Sequence, residues 1–309
     1  METVNYKDIF GLIIGGLLIA YFIYAIDIES AYESMKEASP AYVMAGVLCY
    51  CAALLVRTVR WHRILFIPHL TVGGLLPILL QGWLANFVLP AKSGDVYRIY
   101  VLKRREKIDI SQAISSVLVE RGFDFTILCS IGISFSLLLG ESIFYKFIGY
   151  AAVIIFGVVL LFLILFKMKP HISFLDTLFT FLKTLTFSRF CQLSLISFLI
   201  WTCEILTAFF IFSSISAVPL FSLTLAFSIV ILATAIPAGP GNLGTLEVTW
   251  IFAFSALGFS ETIAGATAIL FHVSQYVLVF TCGIISLLYL TLNPPSTVDA
   301  LDSDLLEPE

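Results

Sequence analysis

The sequence predicts an all-α polytopic membrane protein: six full transmembrane helices plus two re-entrant, or short paired, helical hairpins arranged as an inverted repeat. Three observations carry this expectation. Of 309 residues, 60% are hydrophobic and only 12% charged, with a mean hydropathy of +1.02; a soluble domain carries about twice that charged fraction. Several apolar runs reach the roughly 20 residues that a helix needs to cross a bilayer core. A short motif, "LPAKSGD" at 89–95 and "IPAGPGN" at 236–242, interrupts two of those runs in matching contexts.

The elements follow in order. A first helix is expected over 9–26; it lacks a small-residue cleavage site and reads as a retained span, not a removed leader. The acidic stretch "DIESAYESMKEASP" separates it from a second helix over 41–56, which ends in "RTVRWHR". An apolar run at 73–89 breaks at "LPAKSG", and a short arm over 95–102 leads into "KRREK". Further helices are expected over 111–139, 147–166 and 190–218, with the basic stretch 167–189 between the last two. The second broken run covers 220–236 and 243–257, and a long helix over 262–291 closes the membrane domain. That single domain takes in residues 1–292, with repeats at 9–139 and 147–291; 293–309 is an acidic tail whose composition predicts disorder.

Charge sets the topology. Arg57, Arg60 and Arg63 lie before the first broken run, and Lys103, Arg104, Arg105 and Lys107 lie after it. Both clusters favour the cytoplasmic side, so the run between them must return to the face it left. Its second arm, about eight residues or roughly 12 Å, is too short for a core of about 30 Å. A re-entrant hairpin solves this. The rest of the chain then places both termini in the cytoplasm of a cell that carries this protein in its plasma membrane. The two tips enter from opposite faces, as in transporters that bind substrate where two inverted halves meet.

Broken helices inside a bilayer are tolerated only where the freed backbone is buried or lines a wet cavity. Pro90 and Pro237 stop the first arms, while Gly94, Gly239, Gly241 and Gly244 permit tight backbone. Asp95 and Asn242 are expected to cap the second arms. Free N–H groups there suit an anion such as phosphate, and Lys92 adds a full positive charge. In "VLVERGFDF", Glu120 and Asp124 share a face at i,i+4, and Arg121 reaches Asp124 at i,i+3. With Arg98 they form a cluster of mixed sign: an ion-pair lock on the first hairpin, a polar path for a headgroup, or both. Arg57, Arg60 and Trp61 read as an interfacial anchor belt facing lipid headgroups. Glu204 and His272 are candidate coupling residues in the spans, and Glu247 is expected to pair with a basic residue such as Arg121.

The six cysteines lie in apolar segments without a CxxC pair, and the four histidines are scattered. Neither a disulfide framework, a metal site nor any other cofactor is expected. No P-loop motif is present, so ATP is not expected as a driver.

"RTVRWHRIL", "NFVLPAKSGDVYRIYVL", "VLVERGFD" and "IPAGPGNLGTLE" together resemble the signatures of the lysylphosphatidylglycerol synthase/flippase transmembrane domain family, in order along about residues 9–291. The resemblance implies movement of an aminoacylated phospholipid across a membrane. In the family a separate soluble domain makes that lipid; no part of this sequence resembles it, so synthase activity is not expected. Similar domains accompany glycosyltransferase modules, which brings lipid-linked sugars into the expected cargo. The family pattern implies a basic residue, often Arg, in the last helix, where this sequence has His272 in "ILFHVSQY".

The leading expectation is therefore a non-enzymatic lipid translocase, a flippase. Its partners would be membrane lipids and a separate soluble lipid-modifying or glycosyl transferase; nucleic acid is not expected, and an oligomer is compatible. Two other readings stand beside it. One is a membrane enzyme or accessory subunit acting on lipid-linked substrates, with Asp95, Glu120 and Asp124 as acid and base. The other is an ion-coupled transporter of small solutes using Glu204, Glu247 and His272.

Overall fold

The computed structural model describes residues 28–89, 93–139, 173–183, 185–234 and 240–293. Within them lie ten α-helices and one 3-10 turn. The helices are α1 (Ile28–Lys36), α2 (Pro40–Leu65), α3 (Val72–Val88), α4 (Ser93–Glu106), α5 (Ile110–Leu139), α6 (Ser173–Lys183), α7 (Phe187–Ser213), α8 (Leu220–Ala233), α9 (Thr245–Ser255) and α10 (Glu261–Leu292); the turn is Pro240–Asn242. Helices α2, α7 and α10 are long and apolar enough to cross a membrane, while α3 and α8 are shorter apolar helices. The expected helices at 9–26 and 147–166, positions 90–92 and 235–239 of the tips, and the tail from 294 lie outside the described residues.

At both breaks the flanking helices pack against each other. Proline disfavours helical backbone in the residue before it, and Leu89, which precedes Pro90, is extended at φ −103° and ψ 148°. Helices α3 and α4 then run back against each other. The Gly94 N–H donates to Asn86 Oδ1 at 2.8 Å and the Tyr97 hydroxyl to Gln81 Oε1 at 2.6 Å. The backbones touch where two glycines meet: a Cβ added to Gly94 would lie 1.9 Å from the Gly82 carbonyl oxygen. Small residues allow this close approach inside a membrane. The second hairpin pairs α8 with α9, and its turn rests against α3.

Several elements differ from expectation. Helix α2 does not end near residue 56 but continues through "RTVRWHR" to Leu65, because Arg57 and Arg60 are buried in ion pairs inside the protein. Helix α4 has 14 residues, about 21 Å at 1.5 Å per residue, longer than the expected arm yet short of a bilayer core. Helix α9 has 11 residues, shorter than the expected second arm. The stretches read as loops around 28–36 and 173–183 are helical.

The packing repeats itself. Helix α2 packs on α7; α3 packs on α10 as α8 packs on α5; α1 packs on α10 as α6 packs on α5; and α4 meets α5 as α9 meets α10. One apolar core centres on Phe212, Phe227, Trp250, Phe254 and Phe271, and another on Tyr50, Trp61, Leu75, Ile78, Leu79 and Leu102. Leu48 and Leu55 on α2, Leu195, Phe198 and Leu199 on α7, and Val277, Ile284 and Leu288 on α10 are exposed. Such apolar surface suits contact with lipid tails.

Candidate functional site

Helical spacing brings four elements to one polar centre. On α2, Arg57, Arg60 and Trp61 fall at i, i+3 and i+4; on α7, Ser197, Trp201 and Glu204 fall at i, i+4 and i+7; on α5, Ser116, Glu120 and Asp124 follow one another at i+4. Helix α4 adds Asp95 and Arg98 from the first hairpin.

Arg60 grips Asp124 with both terminal nitrogens, at 2.7 and 3.1 Å, and also donates to Ser197 Oγ at 3.0 Å. Arg57 donates to Glu204 at 2.9 Å and stands 3.7 Å from Asp124. Arg98 donates to Glu120. Arg121 makes a two-pronged pair with Asp95 at 2.8 and 3.0 Å and lies 3.6 Å from Asp124. The Trp201 indole N–H donates to Asp124 at 3.2 Å and that of Trp61 to Ser116 at 3.1 Å.

Four guanidiniums thus face four carboxylates, and the cluster is neutral as a whole. Arg57, Arg60, Arg98, Glu120, Asp124 and Glu204 are all buried. Isolated charges at such depth are expensive, and mutual pairing offsets that cost. Rings complete the enclosure: the Arg98 guanidinium carbon sits 4.1 Å from the centre of Trp61, and that of Arg57 lies 5.5 and 5.2 Å from Trp83 and Trp201. Arg121 and Asp95 form the outer edge, their side chains 46% and 19% exposed. Among the described residues, the Nε of Arg57, Arg60 and Arg98 and the Tyr50 hydroxyl find no hydrogen-bond partner.

A second polar site lies at the tip of the other hairpin. Gly241, Asn242 and Gly244 take positive φ values of 60°, 61° and 82°. The Gly244 N–H donates to Glu247 Oε2 at 2.8 Å. His272 on α10 contacts Glu247 Oε1 through Nδ1 and the Gly241 carbonyl oxygen through Nε2, the latter at 2.8 Å. Phe87 of α3 and Tyr276 pack against the ring, with centroids 6.2 and 4.9 Å away.

The expected cluster of Arg98, Glu120, Arg121 and Asp124 therefore forms, and Asp95 joins it. Several expectations are corrected. Arg57 and Arg60 are not an interfacial belt: they are 5% and 1% exposed and held by inward-facing carboxylates. Glu204 is not alone, since Arg57 pairs with it. Glu247 pairs with His272 and not with Arg121, which Asp95 already engages. Asp95 is the third residue of α4 and pairs with Arg121. Gly244, not Asn242, is the N-cap of α9. Pro90, Lys92, Pro237 and Gly239 lie outside the described residues. Tyr50, Trp83, Ser116, Ser197 and Trp201 were not anticipated. Trp83 had no such signal, its helix carrying no charge; for the others it was spacing from charged residues on their own helices: Tyr50 stands two turns before Arg57, and Trp201 three residues before Glu204.

The family model described as the lysylphosphatidylglycerol synthase TM region matches residues 9–283. The chain belongs to this family. The match spans every residue of both polar sites, so the lysylphosphatidylglycerol synthase TM region is the part of the molecule that carries them. Relatives include a UPF0104 membrane protein of Methanocaldococcus jannaschii, 30% identical over 217 residues, covering 65% of this chain and 91% of the relative. A UPF0104 membrane protein of Methanothermobacter thermautotrophicus is 24% identical over 327 aligned positions, 92% of this chain and 96% of the relative. Glycosyltransferase AglD of Haloferax volcanii is 31% identical over 116 residues, 37% of this chain but 19% of that protein. No solved structure matches the chain. With its long apolar helices and this family membership, the protein is a multi-pass membrane protein.

Proposed function

We propose that this chain is a non-enzymatic translocase for net-anionic lipids with a phosphate-bearing headgroup, phospholipid or lipid-linked sugar. One observation carries the reading: a buried, internally neutral cluster of four arginines and four carboxylates built around a hairpin, with three guanidinium Nε donors unspent. A phosphate offers acceptors to several arginines at once and matches their forked geometry. Arg121 and Asp95, half-open at the rim, provide the first exchange: the headgroup displaces Asp95 from Arg121 and then competes with Glu120 for Arg98. The carboxylates hold the arginines in place between cargoes, which spares the empty site an uncompensated buried charge.

Symmetric packing supports an inverted repeat, and with it the same reading. The paired packing relations exchange α1 with α6, α2 with α7, α3 with α8, α4 with α9 and α5 with α10. The two motifs are 236 − 89 = 147 residues apart, and so are Arg57 and Glu204, which meet between α2 and α7. Alternating access in such folds rocks one half against the other around a shared site. On this reading the protein sits in the cytoplasmic membrane with both termini inside, and a separate soluble transferase supplies its cargo. The stretch shared with glycosyltransferase AglD supports sugar-bearing lipids within the cargo range.

The test is exchange of labelled lipids between leaflets of proteoliposomes. Anionic phospholipid or polyprenyl-phosphate sugar should equilibrate faster than in protein-free vesicles, and zwitterionic lipid should not. Arg121→Gln, at the half-exposed rim, should slow the exchange while leaving the fold intact. No acceleration for either anionic class, or equal acceleration for zwitterionic lipid, overturns the proposal. Product formation from a lipid-linked substrate by the purified chain alone would favour an enzyme instead.

A further inference from the structure

The second polar site has an unusual proton requirement. Both neighbours of the His272 ring nitrogens are oxygens: Glu247 Oε1 at Nδ1 and the Gly241 carbonyl at Nε2. A carbonyl only accepts, and so does an ionised carboxylate. A neutral imidazole carries one N–H, so it satisfies only one of the two. Both contacts are met only when the Glu247–His272 pair holds two protons, as imidazolium with carboxylate or as imidazole with carboxylic acid. The pair is buried, with His272 3% and Glu247 6% exposed, so water is poorly placed to fill the gap. Around the ring, α9 supplies Glu247, α10 supplies Tyr276 and α3 supplies only Phe87. Among the described residues, α1, α2 and α7 place no titratable side chain in hydrogen-bond or ring contact with it.

We infer that Glu247 and His272 form a buried proton-binding site whose second proton fastens the tip of the second hairpin to α10. When that proton leaves, the remaining one stays between Nδ1 and the carboxylate, where the hydrogen bond is charge-assisted. Nε2 then presents a lone pair to the Gly241 oxygen, and the contact turns from attractive to repulsive. Gly241 is where release matters. It lies against Tyr276 and against the backbone of Phe87, which ends the first arm of the other hairpin. Freeing it loosens the junction between the two hairpins. On the translocase reading proposed above, this makes the proton the coupling ion.

Amide hydrogen exchange of residues 241–246 in lipid nanodiscs reads the latch without any cargo. After correction for intrinsic rates, protection should fall by about tenfold between acid and alkaline buffer, the worth of one buried hydrogen bond. Glu247→Gln mimics the protonated carboxyl: its N–H donates to Nδ1, its carbonyl accepts Gly244 N–H, and Nε2–H stays on Gly241. That variant should keep its protection at alkaline pH, and His272→Ala should lack it throughout. Protection that ignores pH in the unaltered chain, or Glu247→Gln following the unaltered chain, overturns the inference. A pH gradient across proteoliposomes should drive anionic lipid to one leaflet, and Glu247→Gln should abolish the drive. A responsive tip in a protein that moves no lipid overturns the translocase reading and keeps the proton site. Lipid exchange with an unresponsive tip overturns the proton site alone.

Discussion

Replacing Asp124 by asparagine removes one charge from the centre of the arginine cluster with almost no change of shape. Asp124 accepts from Arg60 at 2.7 and 3.1 Å and from Trp201 at 3.2 Å, and it lies 3.7 and 3.6 Å from Arg57 and Arg121. The three arginines do not lose equally. Arg57 keeps Glu204 at 2.9 Å and Arg121 keeps Asp95 at 2.8 Å, while Arg60 is left with Ser197 at 3.0 Å and Glu120 at 3.7 Å. Stripping one partner from a buried ion pair costs about 3–5 kcal/mol, and the contacts Arg60 retains place this change near the lower end, about 3 kcal/mol. For a chain of this length, at about 2 °C per kcal/mol, the melting point in detergent should fall by about 6 °C. Arg60→Gln combined with Asp124→Asn exchanges the ion pair for an amide pair and should recover at least half of the loss. A single variant melting within about 1 °C of the unaltered protein, or a double variant losing the sum of the two singles, would refute the idea that pairing holds these charges at depth.

Further outcomes test the close approaches at the glycines. Gly94→Ala drives a Cβ to 1.9 Å from the Gly82 carbonyl and 2.6 Å from Asn86 Cγ; it should cost about 3 kcal/mol or more in thermal melts. Gly122→Ala on α5, where a Cβ meets nothing within 4 Å, should instead stabilise by about 0.5–1 kcal/mol. Gly241→Ala combines a φ of +60° with a Cβ 2.4 Å from the Tyr276 hydroxyl and should destabilise by about 2 kcal/mol or more. Adding Tyr276→Phe should recover part of that loss, since the next ring atom stands at 3.0 Å.

Punctuation in the sequence carried the fold further than it carried the site. Pro90 with its glycine and aspartate marked the break between α3 and α4, and "PAGPGN" marked the other hairpin, because proline and glycine act locally on the backbone. The reach of α2 was misjudged, since charged residues look like a helix leaving the membrane when their partners are unknown. Arg57 meets Glu204 across 147 residues, and nothing local to either announces the other. Glu247 and His272 are 25 residues apart on different helices, so their pairing depends on how α9 and α10 dock. Helix α6 was missed although its signal was local: Phe174, Leu178, Phe181 and Leu182 recur at helical spacing, but the flanking basic residues made the stretch read as a loop.

The ion pair between α2 and α7 has a meaning for how such a molecule comes together. If the halves are related by a two-fold, Arg57 and Glu204 are counterparts meeting at the axis, where a pair of identical halves would bring two like charges face to face. Opposite signs at that one place reward the union of unlike halves and penalise self-association of either. Under that two-fold, each half would be the preferred mate of the other, and two copies of the first would repel through their arginines.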